Sequence, residues 1–142
     1  MIVAFGLDGT VCDSRWRKPL IEEEGWDAYH SALVHDAPHL PACNLIRGLA
    51  CCGSLRLVAV TGRPEKWRHR TNEWLMKHDV AAHDLMMRGG GDYRQSPLVK
   101  IDLMTGLLHG DLTDLMMIDD RDDVIAAFRE RGVACLQLMA AR

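Results

Sequence analysis

The 142-residue sequence predicts an α/β fold, a five-stranded and mostly parallel sheet with helices on both faces. Three observations predict it. Short, nearly continuous apolar runs recur along the chain, each closed by a turn or polar signal. Segments with helical spacing separate these runs, the pattern of a parallel sheet with crossover helices. Asp8, Thr61, Asp119 and Asp120 stand just where runs end, and the carboxyl ends of parallel strands are where such folds bind ligands.

The first run, Ile2-Val3-Ala4-Phe5, enters the turn-forming stretch Gly6-Leu7-Asp8-Gly9-Thr10. Val11–Glu24 is polar and reads as irregular, and Gly25–Leu33 reads as a short helix. Pro38 and Pro41 mark a loop over His35–Pro41. Leu40–Cys52 then has helical spacing, with Gly53 as its stop. Leu55–Val60 is the second strand and ends at Thr61-Gly62-Arg63. Pro64 suits the start of a helix over Glu65–His78, where Trp67 and Trp74 share the apolar face. Asp84–Met87 is a third strand. Ser96-Pro97 reads as an N-cap and first-turn pair for a helix running to Leu107. Leu115–Ile118, a helix over Asp122–Arg131 and Val133–Leu138 complete the pattern.

The length suits one domain, 1–142, with a small insert over about 11–40. A formal net charge of −3 gives no overall attraction to nucleic acid or membrane, so any basic patch is local. Two such patches exist, Arg15-Trp16-Arg17-Lys18 and Lys66-Trp67-Arg68-His69-Arg70. Aromatic residues among cations suit stacking on bases beside phosphate contacts, although Trp67 also fits a core position. The five cysteines are odd in number and match no zinc spacing. Reduced thiols in a cytoplasmic protein are therefore expected. No apolar segment is long enough for a signal or a membrane span. No P-loop motif is present, so no kinase half is expected in this chain.

Gly6-Leu7-Asp8-Gly9-Thr10 resembles the first motif of the haloacid dehalogenase (HAD) phosphohydrolases, an apolar strand followed by Asp-x-Asp-Gly-Thr. Thr61-Gly62-Arg63, Lys100 and Asp119-Asp120 follow in the order of the remaining motifs. Val60–Arg63, Gly91-Asp92-Tyr93-Arg94 and Ile118–Arg121 make the chain most similar to the 3′-phosphatase domain of phage polynucleotide kinase–phosphatases. The resemblance implies a HAD-like Rossmannoid fold, a Mg2+ cofactor, a bacterial or phage-infected cell as its setting, and a phosphorylated nucleotide or nucleic-acid end as ligand. It further implies roles: Asp8 as general acid/base, Thr61 as phosphoryl clamp, and Lys100 as charge partner of the phosphoryl group. Asp8, Asp119 and Asp120 would serve the metal. Arg63, Arg17 and Arg15 would contact substrate.

Each residue also has a plainer reading. Asp8 suits a turn before Gly9, Thr61 a strand end, Lys100 a surface lysine, and the Asp122–Asp123 pair a helix start. Two departures from the family stand out. Gly6 replaces the Asp that forms the aspartyl-phosphate, and Ser96 replaces an Asp four residues before Lys100. Three explanations of Gly6 stay open: natural loss in a pseudo-enzyme, an introduced substitution, or a site that uses water directly. The expected function is thus a phosphate-monoester hydrolase impaired by Gly6. The alternative is a non-catalytic protein that binds nucleotide or nucleic acid.

Overall fold

The computed structural model describes residues 1–139. The elements in chain order are β1 (Ile2–Phe5), β2 (Cys12–Asp13), α1 (Pro19–Glu23), α2 (Trp26–Ser31), β3 (Ala37–Pro38), α3 (Leu40–Ala50), β4 (Arg56–Pro64), α4 (Arg68–Lys77), β5 (Asp84–Arg88), α5 (Ser96–Leu107), β6 (Leu115–Asp119), α6 (Asp122–Arg129) and β7 (Ala134–Gln137). Five of the strands form one sheet in the order β5-β4-β1-β6-β7. All four neighbouring pairs are parallel, as the alternation of strand and helix requires.

β1 is central, with Phe5 opposite both Ala59 and Ile118. Its neighbours on either side belong to different runs of the chain, which places a topological switch point at its carboxyl end. Successive strand residues face opposite sides, so the sheet has two cores. Val3, Phe5, Leu57 and Ala59 pack with Cys43 and Ile46 of α3 and Trp74 and Leu75 of α4. Ala4, Val58, Val60 and Met117 pack with Ile101 and Met104 of α5 and Val124 and Phe128 of α6. Both faces are covered, and this is why these strands read as continuous apolar runs.

Three details differ from the expectations. β4 continues through Thr61, Gly62 and Arg63, with a register shift between Thr61 and Pro64. The motif is therefore the irregular end of a strand, where a bulge re-aims side chains. α5 is capped by Gln95, with Ser96 as its first residue and no side-chain cap bond. Ser96 instead lies against Gly62, where an added Cβ would be 2.9 Å from its hydroxyl. Val11–Glu24 holds β2, a 3-10 turn and the five-residue α1, elements too short to leave a periodic pattern. β2 and β3 pair antiparallel and close the base of a small cap over 14–36. Among the described residues no helix is long and apolar enough to cross a membrane.

Candidate functional site

The ends of β1, β4 and β6 open into a cleft of about 1070 Å³, lined among others by Asp8, Thr61, Arg63, Lys100 and Arg121. Lys18, Tyr29 and His30 of the cap, and the Gly89–Tyr93 loop after β5, complete its rim. Arg88 holds that loop from inside. Its Nε donates to the Gly62 carbonyl at 2.7 Å and its Nη1 to the Asp92 carbonyl at 3.1 Å.

Asp8 follows β1 and is clamped by two guanidinium groups. Arg17 Nη2 donates to its Oδ1 at 2.5 Å, and Arg63 Nη2 to the same oxygen at 2.7 Å. Arg17 also donates through Nε and Nη2 to Asp36 at 2.8 and 2.6 Å. The side chains of Arg17, Arg63 and Asp36 have no exposure, and that of Asp8 has 25%. Burial pushes the Asp8 carboxyl up, but Arg63 and Arg17 outweigh it and hold the group well below the usual carboxylate range. The four side chains form a neutral quartet of two arginines and two aspartates. Arg63 is further fixed by Thr71 at 3.2 Å, and the Arg17 guanidinium lies 4.4 Å from the centre of the Tyr29 ring.

The substrate role expected of Arg17 and Arg15 meets a different arrangement. Arg17 is buried and its donors are spent on Asp8, Asp36 and the Tyr29 carbonyl. Arg15 points to its neighbour Asp13, at 2.8 Å, and is not among the cleft-lining residues. Asp36, which the sequence analysis did not single out, carries no local signal. Its role comes from pairs nineteen and more positions apart. Trp16 Nε1 donates to its carboxylate and Trp74 Nε1 to its backbone carbonyl, each at 2.9 Å.

The other half of the site surrounds Gly6. Lys100 is 5% exposed, inside α5 rather than on a solvated face. Its Nζ donates to Asp119 Oδ2 at 2.6 Å. Asp119, at the end of β6, is fully buried and also accepts the Arg121 backbone N–H at 3.1 Å. A Cβ on Gly6 would fall 2.4 Å from Asp119 Oδ2 and 2.9 Å from Thr10 Oγ1. Such a distance is shorter than any real contact, so the Asp119 carboxylate stands in the space a side chain at position 6 needs. Asp120 accepts the Thr10 hydroxyl at 3.0 Å. Burial, then the neighbouring Asp119, push its carboxyl up from the ordinary value. It also crowds Gly9, whose φ of +83° and lack of Cβ allow the approach. Thr61, 2% exposed, is on the cleft wall and accepts the Arg63 backbone N–H at 3.1 Å.

The carboxylates are already matched by this chain's own donors. Among the described residues, the one group of three ligand atoms within 4.8 Å of each other is Asp8, Cys12 and Asp36. Two of these belong to the arginine quartet, and burial raises the Cys12 thiol further from the thiolate a metal needs. Asp8, Asp119 and Asp120 do not form such a group, Asp119 is tied to Lys100, and position 6 offers no carboxylate. As arranged, these residues do not fit a tightly held divalent cation.

A parallel sheet with this switch point, a small cap, Asp8, Thr61 and Asp119 at its strand ends and Lys100 on α5 define a HAD-type hydrolase fold. Solved HAD-like hydrolases share it. One from Streptococcus pneumoniae superposes with a TM-score of 0.70 at 14% identity, over 96% of this chain and 83% of that one. More specifically, the model of the polynucleotide kinase PNKP phosphatase domain matches residues 1–141, and the chain belongs to that family. A chain of the Pnkp1/Rnl/Hen1 complex is 25% identical, with a TM-score of 0.80 over 96% of this chain and 44% of that one. A putative bifunctional polynucleotide kinase/RNA ligase of Autographa californica nuclear polyhedrosis virus is 24% identical over 129 residues, 90% of this chain and 18% of the viral protein. The chain thus spans less than half of these two relatives. Phosphatases of the HAD family generally use Mg2+.

Proposed function

We propose that this domain recognises phosphorylated nucleic-acid ends, as an impaired relative of the polynucleotide 3′-phosphatases whose hydrolytic step is weak or absent. The observation that carries the reading is the Lys100–Asp119 pair over Gly6: the covalent nucleophile is missing and its space is filled by a neighbouring carboxylate. Asp8, held ionised by two arginines, is poorly placed to give up a proton it does not hold. Binding groups remain. Thr61 and Lys100 line the cleft and would face the phosphoryl group, while Lys18, Arg88 and Arg121 bring further positive charge to a rim that also carries Glu22, Glu65 and Asp92. Nucleic acid as the ligand class is supported by family membership and by relatives described as a polynucleotide kinase/RNA ligase and as part of an RNA repair complex. Of the two readings, impaired hydrolase and pure binding protein, the filled space over Gly6 favours the second for the chain as written.

The test compares oligonucleotides that end in 3′-phosphate or 3′-hydroxyl, by fluorescence anisotropy, with phosphate release followed in parallel. Tighter binding of the phosphorylated end with little release is expected. Equal affinity for the two ends would reject end recognition. Rapid Mg2+-dependent release by the unaltered chain would reject the impairment.

A further inference from the structure

One wall of the cleft is aromatic, and apart from the contact of Arg17 with Tyr29 none of the roles above uses it. Trp26, the first residue of α2, is 60% exposed. Its ring stacks on His30, with centroids 5.8 Å apart and planes at 25°. His30 continues the column to Trp67, at 6.3 Å and 32°, and the Tyr29 ring meets Trp26 edge-on at 5.6 Å. Trp26, Tyr29 and His30 line the same cleft as Asp8, Thr61 and Lys100. The column is built rather than incidental. Gly25 precedes Trp26 at φ 93° and ψ 177°, a backbone state that side chains exclude, so the helix starts at that residue. Lys66 bonds Asp27 at 2.6 Å, and Arg70 bonds the Ser31 carbonyl at 2.9 Å, which pins α2 against the segment after β4.

Inside the column, His30 is 8% exposed and its Nδ1 is buried with no hydrogen-bond partner, as is Trp67 Nε1. Burial holds His30 neutral, with its pKa down to about 4. A neutral imidazole continues the aromatic surface without a charge. The outer face of Trp26 is therefore an exposed, flat and uncharged ring beside a cleft whose cations Lys18, Arg88 and Arg121 stand among Glu22, Glu65 and Asp92. A ligand that satisfies both features carries an aromatic ring and an anion together, and a nucleoside phosphate does so.

We propose that Trp26, backed by His30 and Trp67, is a stacking platform for the nucleobase of the phosphorylated terminal nucleoside. The proposal rests on the reading of the cleft as a phosphate-end site. It assigns the cap a sequence-tolerant grip on the base, since any base has a face to stack.

The experiment uses three 3′-phosphorylated probes: an oligonucleotide ending in 2-aminopurine, the same oligonucleotide ending in an abasic sugar, and a free nucleoside 3′-monophosphate. Stacking predicts quenched 2-aminopurine emission on binding and about tenfold tighter binding of the base-bearing end than of the abasic one. Trp26→Ala should abolish the quenching and lower the base-bearing end to the abasic level, while leaving the abasic affinity unchanged. Trp26→Phe should keep most of the preference. Binding of the monophosphate with the same Trp26 dependence would assign the platform to one nucleoside, whereas a dependence seen only in the oligonucleotides would assign it to a polynucleotide end. Either result supports stacking. A wild-type protein that binds base-bearing and abasic ends equally, or a folded Trp26→Ala that keeps the preference, overturns the platform alone. No binding of any phosphorylated probe overturns the phosphate-end reading as well.

Discussion

Two clusters of charge lie side by side at the strand ends, and they differ in what they lack. In the cap-side cluster, Asp8, Arg17, Asp36 and Arg63 satisfy one another across fifty-five positions of sequence. On the β6 side, Lys100 and Asp119 close over a glycine. The first cluster fixes the cap and leaves no charge over. The second has no carboxylate at position 6, and Asp119 stands in the space a side chain there would take. On the reading proposed above, the framework that shapes the cleft does not depend on a carboxylate at position 6. Buried ion pairs that hold a wall in place are costly to break.

The sharpest way to break this contrast is to return a carboxylate to position 6. Gly6→Asp requires the Asp119 carboxylate to swing away from the added side chain. If the rest of the site accepts this, Mg2+-dependent phosphatase activity should rise ~1000-fold, or roughly 4 kcal/mol in the barrier. Assays on a 3′-phosphorylated oligonucleotide and an aryl phosphate check it. Calorimetric titration should show weak Mg2+ binding by the unaltered chain and tighter binding by the variant. A variant that binds Mg2+ yet stays inactive would point to Ser96, the other departure near Lys100.

On the cap side, Arg17→Ala removes the hydrogen-bonded ion partner of buried Asp36 and leaves it only Arg63, at 3.9 Å. A loss of about 3–5 kcal/mol is expected in urea unfolding, the usual cost of orphaning a buried charge. A loss below 1 kcal/mol would show that the quartet does not hold the cap.

His30 tests the same wall through pH. Its pKa is near 4 folded against 6.5 unfolded, chiefly from burial, with Arg17 and Arg63 adding to the shift and Asp8 and Asp27 opposing it. Between pH 6.5 and 4 the unfolded chain binds a proton that the folded one does not. Stability should thus fall as pH drops through this window, by at most roughly 3 kcal/mol. Unfolding curves of His30→Gln, collected across the window, should lose that slope.

The smallest effect belongs to Arg15, an exposed residue paired with half-buried Asp13. Arg15→Ala should leave stability and the salt dependence of oligonucleotide binding unchanged within error. A slope reduced by ~0.7 would restore Arg15 as a phosphate contact.

The sheet was legible because each core strand is buried on both faces and spells an unbroken apolar run. The end residues Asp8, Thr61 and Asp119 were legible because strand ends converge. The cap was not. Its helices are five and six residues long, below the length at which periodicity speaks. Asp36 sits between His35 and Ala37 with nothing local to mark it, and Arg17 looked like a free basic residue because its partners are distant in sequence. Helical spacing alone left Lys100 a surface lysine, and only the family resemblance marked it, because its partner is on β6.

The tethers of the cap have a kinetic consequence. Arg17 of the cap donates to Asp8 after β1, and the Asp36 carbonyl accepts from Trp74 of α4. Swinging the cap aside would strip buried charges of their partners. Such tethers predict a cap that behaves as a fixed rim rather than a gate. Ligand exchange is then governed by encounter and escape, with no opening step to wait for. Association rates should climb as ionic strength falls and show no plateau with ligand concentration.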